Sequence, residues 1–459
     1  MRKTLALLLA AAVLYLAPSA PRSIKSQTLV ATSKFYTVAN PIPNRYIVVL
    51  ANTDLSPVAD SAATPKSATP VSTKDFSAAA AISPDFSSTS FVATPVPADP
   101  VVVATATDLT STYGGTFSST WSTALKGFRL HSTEAEAINM SGDSRVAFIV
   151  QDGAIAVGTP DGDPIVMMPD PGAFMNPQPR ASWGLDRINQ RYLPLDELYA
   201  YQNEGVGVNV YVIDTGILPT HSEFRDRAFV VYDALEGERN GIDCNGHGSH
   251  VAGIIGGQTY GVAKKARLFG VRVLNCQGTG AWSDVIDGVN FVTWHSRQPA
   301  QQDVPAVANM SLGGSTNRAV DAAVRNSIRA QVTYVVAAGN GNSDASTYSP
   351  AAVPEAITVG ATNRFDSRAA FSNYGPALDV FAPGVGITSA WIGGDEMMAT
   401  ASGTSMAAPH VTGVVALFLQ SHRGASPASV RAALVGTSTV GVVSNPGQDT
   451  PNRLLFTNY

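Results

Sequence analysis

From Trp183 onward, short uninterrupted apolar runs alternate with longer stretches in which apolar positions recur every three to four residues. The runs at 208–213, 267–274, 306–312 and 332–338 hold too few polar side chains to present a face to water, which predicts strands buried on both sides. Residues 284–294, 319–330 and 406–419 carry helical periodicity instead. Strands and helices in alternation predict an α/β fold with a doubly wound, mostly parallel sheet. Such sheets bind ligands beyond the carboxyl ends of their strands. Asp214 falls at the end of the first run and Asn340 just beyond the last. His247 and Ser405 each open a helix, where unpaired N–H groups favour negative charge.

The first 180 residues have a different texture. Arg45-Tyr46-Ile47-Val48-Val49-Leu50 reads as a strand, and helical and strand patterns return at 102–113 and 146–157, with Gly127-Phe128 between them. Residues 44–157 therefore form a small α+β unit. Residues 56–100 are rich in Ala, Ser, Thr and Pro, with few large apolar side chains to bury, and are expected to stay disordered. Residues 158–180 hold six prolines and three glycines. That composition marks an extended linker and a boundary.

Composition narrows the class. The 459 residues suffice for more than one folded unit, and the net charge of −5 offers nothing to nucleic acid or an anionic membrane. Residues 1–20 combine a basic start, an apolar run too short to span a bilayer and a small-residue end, which is the pattern of an export signal. No H-E-x-x-H or C-x-x-C string supports a zinc site.

Three strings carry the chemistry: Asp214-Thr215-Gly216, then Asn245-Gly246-His247-Gly248-Ser249-His250, then Gly403-Thr404-Ser405-Met406-Ala407-Ala408-Pro409. A serine hydroxyl attacks a carbonyl only if an imidazole takes its proton, and the imidazole needs a carboxylate to hold its tautomer. His221 and His250 read as packing histidines. The order Asp, His, Ser, together with Trp183-Gly184-Leu185-Asp186-Arg187-Ile188, Asn309-Met310-Ser311-Leu312-Gly313-Gly314 and Phe371-Ser372-Asn373-Tyr374-Gly375, resembles the subtilisin-like serine proteases. The likeness is to the proteinase K branch and its bacterial aqualysin-like members, and runs from about Trp183 to Leu455.

That resemblance implies a nucleophile at Ser405, a general base at His247, an orienting carboxylate at Asp214 and an oxyanion donor at Asn340. It implies two strand edges for an extended peptide, Gly278-Thr279-Gly280 and Ser311-Leu312-Gly313, the glycines leaving room for close backbone approach. Ala337, Ala338 and Gly339, with Tyr348, would form a roomy apolar pocket, and Trp282 would line a further one, so cleavage after large apolar or aromatic residues is expected. For Cys244 and Cys276 it implies either one disulfide, as in the bacterial relatives, or a reactive thiol near His247, as in the fungal ones. It places calcium on Asp379 and the carbonyls of Pro354 and Ala356. Residues 44–157 resemble an inhibitory propeptide, with 158–175 as the processing region and the mature chain starting near Asn176, after Phe174-Met175. A secreted monomer acting on proteins and peptides follows. A non-catalytic scaffold, an esterase and a narrow processing protease are the alternatives.

Overall fold

In the computed structural model, which describes residues 34–55, 96–158, 160–166, 176–235 and 240–459, the centre is the strand β6 (Asn209–Asp214), all six residues of which are buried. Its side chains alternate between two cores: Val210 and Val212 join one, Tyr211 and Ile213 the other. This is the period-two geometry of a strand covered on both faces.

The elements run in the following order. The N-terminal unit comprises β1 (Pro41–Leu50), α1 (Pro100–Tyr113), β2 (Thr116–Trp121), β3 (Gly127–His131), α2 (Glu134–Ser141) and β4 (Val146–Ala156). A short strand β5 (Ile165–Val166) and helix α3 (Trp183–Asn189) precede β6. There follow β7 (Ala228–Asp233), α4 (His247–Gly256), β8 (Arg267–Arg272), β9 (Thr279–Ala281), α5 (Trp282–His295), β10 (Ala306–Met310), α6 (Arg318–Arg329) and β11 (Val332–Ala337). The chain closes with β12 (Ile357–Thr362), β13 (Val380–Pro383), β14 (Ile387–Ala390), β15 (Met397–Ala401), α7 (Thr404–Ser421), α8 (Pro427–Thr437), β16 (Thr439–Val440) and β17 (Arg453–Leu454).

The large sheet has the order β7-β8-β6-β10-β11-β12-β13-β17-β16 and is parallel from β7 to β17. From β6 the chain goes to the edge strand β7, returns to β8 beside β6, and then crosses to β10 on the other side of β6, so the end of β6 is the switch point where such sheets bind ligands. Asp214 sits there. Helices α4 and α7 pack on one face, α5 and α6 on the other. The four sequence-predicted strands and three helices all form. Strands β7, β12 and β13 and helix α8 are among the elements the sequence reading did not predict.

In the N-terminal unit, β4, β1, β3 and β2 make an antiparallel sheet, with a two-residue strand at Phe35–Tyr36 beside β4. One face of this sheet packs on α1 and α2 through Val48, Leu109 and Met140. The other face sends Ile47, Val49 and Trp121 into the core shared with α5. Thr133 and Glu136 close a capping box on α2, which fixes the helix start at its sequence signature. The segment expected to be disordered falls outside the described residues up to 95, and its last residue, Pro100, is instead the first of α1, capped by Asp99. The export segment 1–20 also lies outside them.

Helix α5 is the surface on which the N-terminal unit docks. Its cap position is Ala281, which has no side-chain acceptor; Asp152 of β4 fills the role, accepting from the Ser283 N–H (3.1 Å) and hydroxyl (2.6 Å). Along the helix, Arg129 bridges Asp284 (2.6 Å) and Asp287 (2.7 Å), Arg45 pairs with Asp152 and Asp284, and the Trp121 indole donates to Asp287. Removing one partner from a buried ion pair leaves the others desolvated and uncompensated. Arg129→Ala, made in an inactive Ser405→Ala chain, is expected to lower the free energy holding the N-terminal unit in place by about 3 kcal/mol. Added trypsin would then digest that unit on the order of 100-fold faster, and unchanged digestion would remove the network from the account.

Candidate active site

Asp214 reaches its position because β6 ends there, and the chain turns away through Gly216, at φ 106°, where a Cβ would meet the backbone of Gly241 and Asp243. His247 is the first residue of α4, after Gly246 at φ 107° packed under the Trp391 ring. Ser405 lies in the first turn of α7, directly after β15 and an extended Gly403. Three separate elements thus meet at one end of the sheet.

The His247 Nδ1–H faces Asp214 Oδ1 at 2.8 Å, with both side chains buried. The Thr215 N–H donates to the same oxygen. Burial alone would push the imidazole pKa down, but the charge and hydrogen bond of Asp214, reinforced by Asp243, raise it above its ordinary value. His247 Nε2 has no protein partner among the described residues. The Ser405 hydroxyl donates to the Ser311 carbonyl at 3.0 Å; a hydrogen bond from it to Nε2 would require that hydroxyl to rotate, and such bonds often form only when substrate binds.

Asn340 lines the same pocket as His247 and Ser405. Its Oδ1 accepts from the N–H and the hydroxyl of Thr404, both at 2.9 Å. That fixes the amide orientation and leaves the Nδ2 hydrogens free to donate to an oxyanion. Thr404 was not singled out in the sequence; its place next to Ser405, with a hydroxyl at a helix start, was the available signal. Asp243 is a second such residue. Its buried carboxylate accepts from the Thr215 hydroxyl, the N–H groups of Asn245, Gly246 and Ser249, and the Ser249 hydroxyl.

His250 and His221 are packing residues. His250 is fully buried, its Nε2 lies against the carbonyls of Ile387 and Ala399, and burial pushes its pKa down to about 3. His221 Nε2 sits 2.8 Å from the Met397 carbonyl.

Of the two expected strand edges, Gly278, Thr279 and Gly280 carry an occupant: β4 pairs antiparallel with β9 (Ala154 with Ala281, Ile155 with Gly280, Ala156 with Thr279), and the Val157 N–H donates to the Gly278 carbonyl at 2.8 Å. Ile155 reaches the space between Gly314 and Trp282. Ser311, Leu312 and Gly313 lie across from this edge, where Ser311 is tied to Ser405 by a reciprocal pair of hydrogen bonds. Ala337 and Ala338 are buried at the end of β11, and Gly339, at φ 100°, abuts Asn373 and Tyr348. Cys244 and Cys276 form a disulfide, closing a loop worth about 3–4 kcal/mol in the chain-entropy picture. The reactive-thiol alternative therefore does not hold.

These features agree with the comparisons. The model of the subtilase family of peptidases matches residues 205–455. The chain belongs to the subtilase family. It is 49% identical over 339 residues to an extracellular serine proteinase of Thermus sp. (strain Rt41A), covering 74% of this chain and 77% of that one. To an alkaline serine exoprotease A of Vibrio alginolyticus it is 45% identical over 333 residues, 72% of this chain and 59% of the relative's length. A crystal structure of a cold-adapted subtilisin-like serine proteinase superposes with a TM-score of 0.58 at 48% identity, over 61% of this chain and 99% of that one. This subtilase is a serine protease with the subtilisin-like fold.

The calcium position is less accommodating. Asp379 is buried, its Oδ1 accepts from Arg431 Nε (2.8 Å) and Nη2 (2.6 Å), and its Oδ2 accepts from the Thr358 N–H. The carboxylate that was to meet calcium beside the Pro354 and Ala356 carbonyls already has a cation, so as they stand these residues do not fit the ion. Among the described residues, no group of three or more His, Cys, Asp or Glu could hold a metal.

Asn340→Ala is expected to reduce turnover by about 10²–10³-fold, the loss established for the corresponding donor of subtilisin. Thr404→Val should cost about tenfold with KM little changed, since it frees the amide without removing it; steady-state kinetics on one peptide amide checks both. Arg431→Ala is expected to make the thermal midpoint calcium-dependent, whereas a chelator should leave the wild-type midpoint at this site within about 2 °C. Differential scanning calorimetry with and without chelator decides it.

Proposed function

We propose that this subtilase is a secreted endopeptidase of broad specificity, made as a zymogen in which the N-terminal unit fills the cleft. The observation that carries the reading is β4 lying on β9 as an added strand, leading the chain into the pocket of His247, Asn340 and Ser405. An extended peptide bound by its backbone gives affinity without side-chain selection, which supports breadth. The apolar pocket near Ala337, Ala338, Gly339 and Tyr348 supports a preference for large apolar or aromatic residues before the cut. Export agrees with the 1–20 segment and with the disulfide. Among the described residues no helix is long and apolar enough to cross a membrane.

The geometry supports the following roles. Ser405 Oγ attacks the peptide carbonyl while His247 Nε2 takes its proton; Asp214 holds the imidazole by Nδ1–H and stabilises its charged form. Asn340 Nδ2–H and the Ser405 backbone N–H receive the oxyanion. His247 then protonates the leaving amine, and water hydrolyses the acyl-enzyme by the same route reversed.

Labelling of Ser405 by a fluorophosphonate, absent in Ser405→Ala, together with casein digestion, tests the reading. No labelling and no digestion would favour the scaffold alternative. Because His247 must be neutral to act as base and its pKa is raised, kcat/KM is expected to climb with pH through a half-maximum above about 6.5. Full activity at pH 5 would remove His247 from that role.

A further inference from the structure

Lys264 is 7% exposed, an unusual degree of burial for a side chain that ends in a charge. Its amine turns back on the loop that follows α4 and donates to the carbonyls of Gln258 at 2.9 Å, Gly261 at 3.0 Å and, more weakly, Thr259 at 3.5 Å. Three backbone oxygens from residues 258–261 thus converge on one point. An ammonium has three N–H donors and a neutral amine only two, so this is the geometry of the charged form. Burial pushes the Lys264 pKa down to about 7, and the Glu223 charge opposes that push. Glu223 meets the loop from its other side: Oε2 accepts from the N–H groups of Thr259 at 2.8 Å and Tyr260 at 3.3 Å, and its backbone carbonyl accepts from the Gln258 N–H. The peptide dipoles of the loop therefore lie between an anion on their N–H side and a cation on their carbonyl side.

The wall of this pocket holds one more oxygen. Gln178 is 1% exposed; its Nε2 donates to the Thr259 carbonyl at 3.0 Å, and its Oε1 has no partner among the described residues. The rings of Tyr199 and Tyr201 lie 5.6 and 6.0 Å from the Lys264 nitrogen, within the range of cation–π attraction.

We propose that the carbonyls of residues 258, 259 and 261, with Gln178, form a binding site for a small monovalent cation, and that Lys264 supplies that cation from within the chain. The class of ion follows from the oxygens. Converging neutral carbonyls replace the hydration shell of an ion such as potassium, and ammonium makes the same contacts as hydrogen bonds. Calcium draws on carboxylate oxygens as well, and here the Glu223 carboxylate faces N–H groups instead. A tethered ion also escapes the loss of translational freedom that a dissolved one suffers on binding, so the site is filled whatever the salt. Its effect is to join separate parts of the fold. Gln178 and Tyr199 precede β6, Glu223 follows it, and the carbonyls belong to the loop after α4, whose first residue is His247. Lys264 lies beyond the far end of that helix, about 15 Å from the base at 1.5 Å per residue, so it holds the scaffold and takes no part in the chemistry.

The test removes the tether in the full-length Ser405→Ala chain and offers a free ion in its place, at pH 6, where the Lys264 amine of the parent is charged. Lys264→Ala is expected to melt roughly 5 °C below that parent. An excess of ammonium chloride should recover about half of the loss, whereas tetramethylammonium chloride at the same concentration, which has no N–H group and is too bulky for the vacated space, should recover none. The parent should respond alike to the two salts. Lys264→Met keeps the bulk of the stem without its charge, so it should melt low and gain nothing from ammonium. If Lys264→Ala does not fold, the yield of refolded chain in the two salts reads the same difference. Equal effects of the two salts on Lys264→Ala, or a Lys264→Met chain that melts with its parent, would overturn the inference, as would rescue by calcium chloride but not by ammonium. None of these outcomes bears on the protease reading, which fluorophosphonate labelling tests separately.

Discussion

The buried carboxylate of Asp243 is the constraint on which the site depends. Five donors converge on it, and they come from two places: Thr215, one residue past Asp214, and Asn245, Gly246 and Ser249 around the start of the helix that begins with His247. Burial pushes the Asp243 pKa up, and the hydrogen bonds from Gly246, Ser249 and Asn245 oppose that push. A carboxylate so placed satisfies the free N–H groups of a helix start and also fixes the distance between the end of one strand and the start of one helix. The 2.8 Å contact of His247 with Asp214 is a consequence of that tie. The neighbouring Cys244 is joined to Cys276, and the Asn245 side chain donates to the Cys276 carbonyl. One loop therefore couples the His247–Asp214 pair to the β9 edge on which β4 lies.

The fold was legible because its strands are buried on both faces, and continuous apolar runs leave little room for another reading. Asp214, His247 and Ser405 were legible because each stands in a short string whose chemistry requires its neighbours. The elements missed are those without such a signature. β12 is interrupted by Gly360, β13 is four residues long and ends in Pro383, and α8 begins at a Ser-Pro step that reads equally as a turn, while the apolar run of β7 was passed over. Thr404 and Asp243 act through other residues, and a single side chain that positions another leaves no periodic mark. The Arg431–Asp379 pair is of the same kind: 52 residues separate the partners, and only the folded chain brings the guanidinium to the carboxylate expected to meet a metal.

The N-terminal unit shows why apolar contact alone would not serve. Ile47, Val49 and Trp121 give the docking face its driving force, but burial is non-directional and tolerates sliding along α5. Direction comes from Asp152 capping α5 and from the Arg45 and Arg129 pairs at the turns beyond it. Each charge has one place along the helix where it is satisfied, and elsewhere it would be buried alone. Register on α5 then fixes register on β9, because Asp152 and Ala154 lie on the same strand two residues apart. The ladder that leads into the cleft inherits its alignment from the helix cap.

That inheritance explains why residues 160–166 read as part of a boundary in sequence and are bound in the structure. Pro, Gly and Asp in 158–166 have low intrinsic preference for any element, and read alone they signal a turn. Their neighbours are set instead: β4 is locked at one end by β9, and β15 offers an unpaired edge at the other. A chain fixed at Val157 and able to reach Thr400 gains backbone hydrogen bonds at little entropic expense, since its ends are already close. Composition reports what a segment would do without partners. Here the partners are two strand edges on either side of Ser405, and an extended, proline-bearing segment is the kind of chain such edges hold.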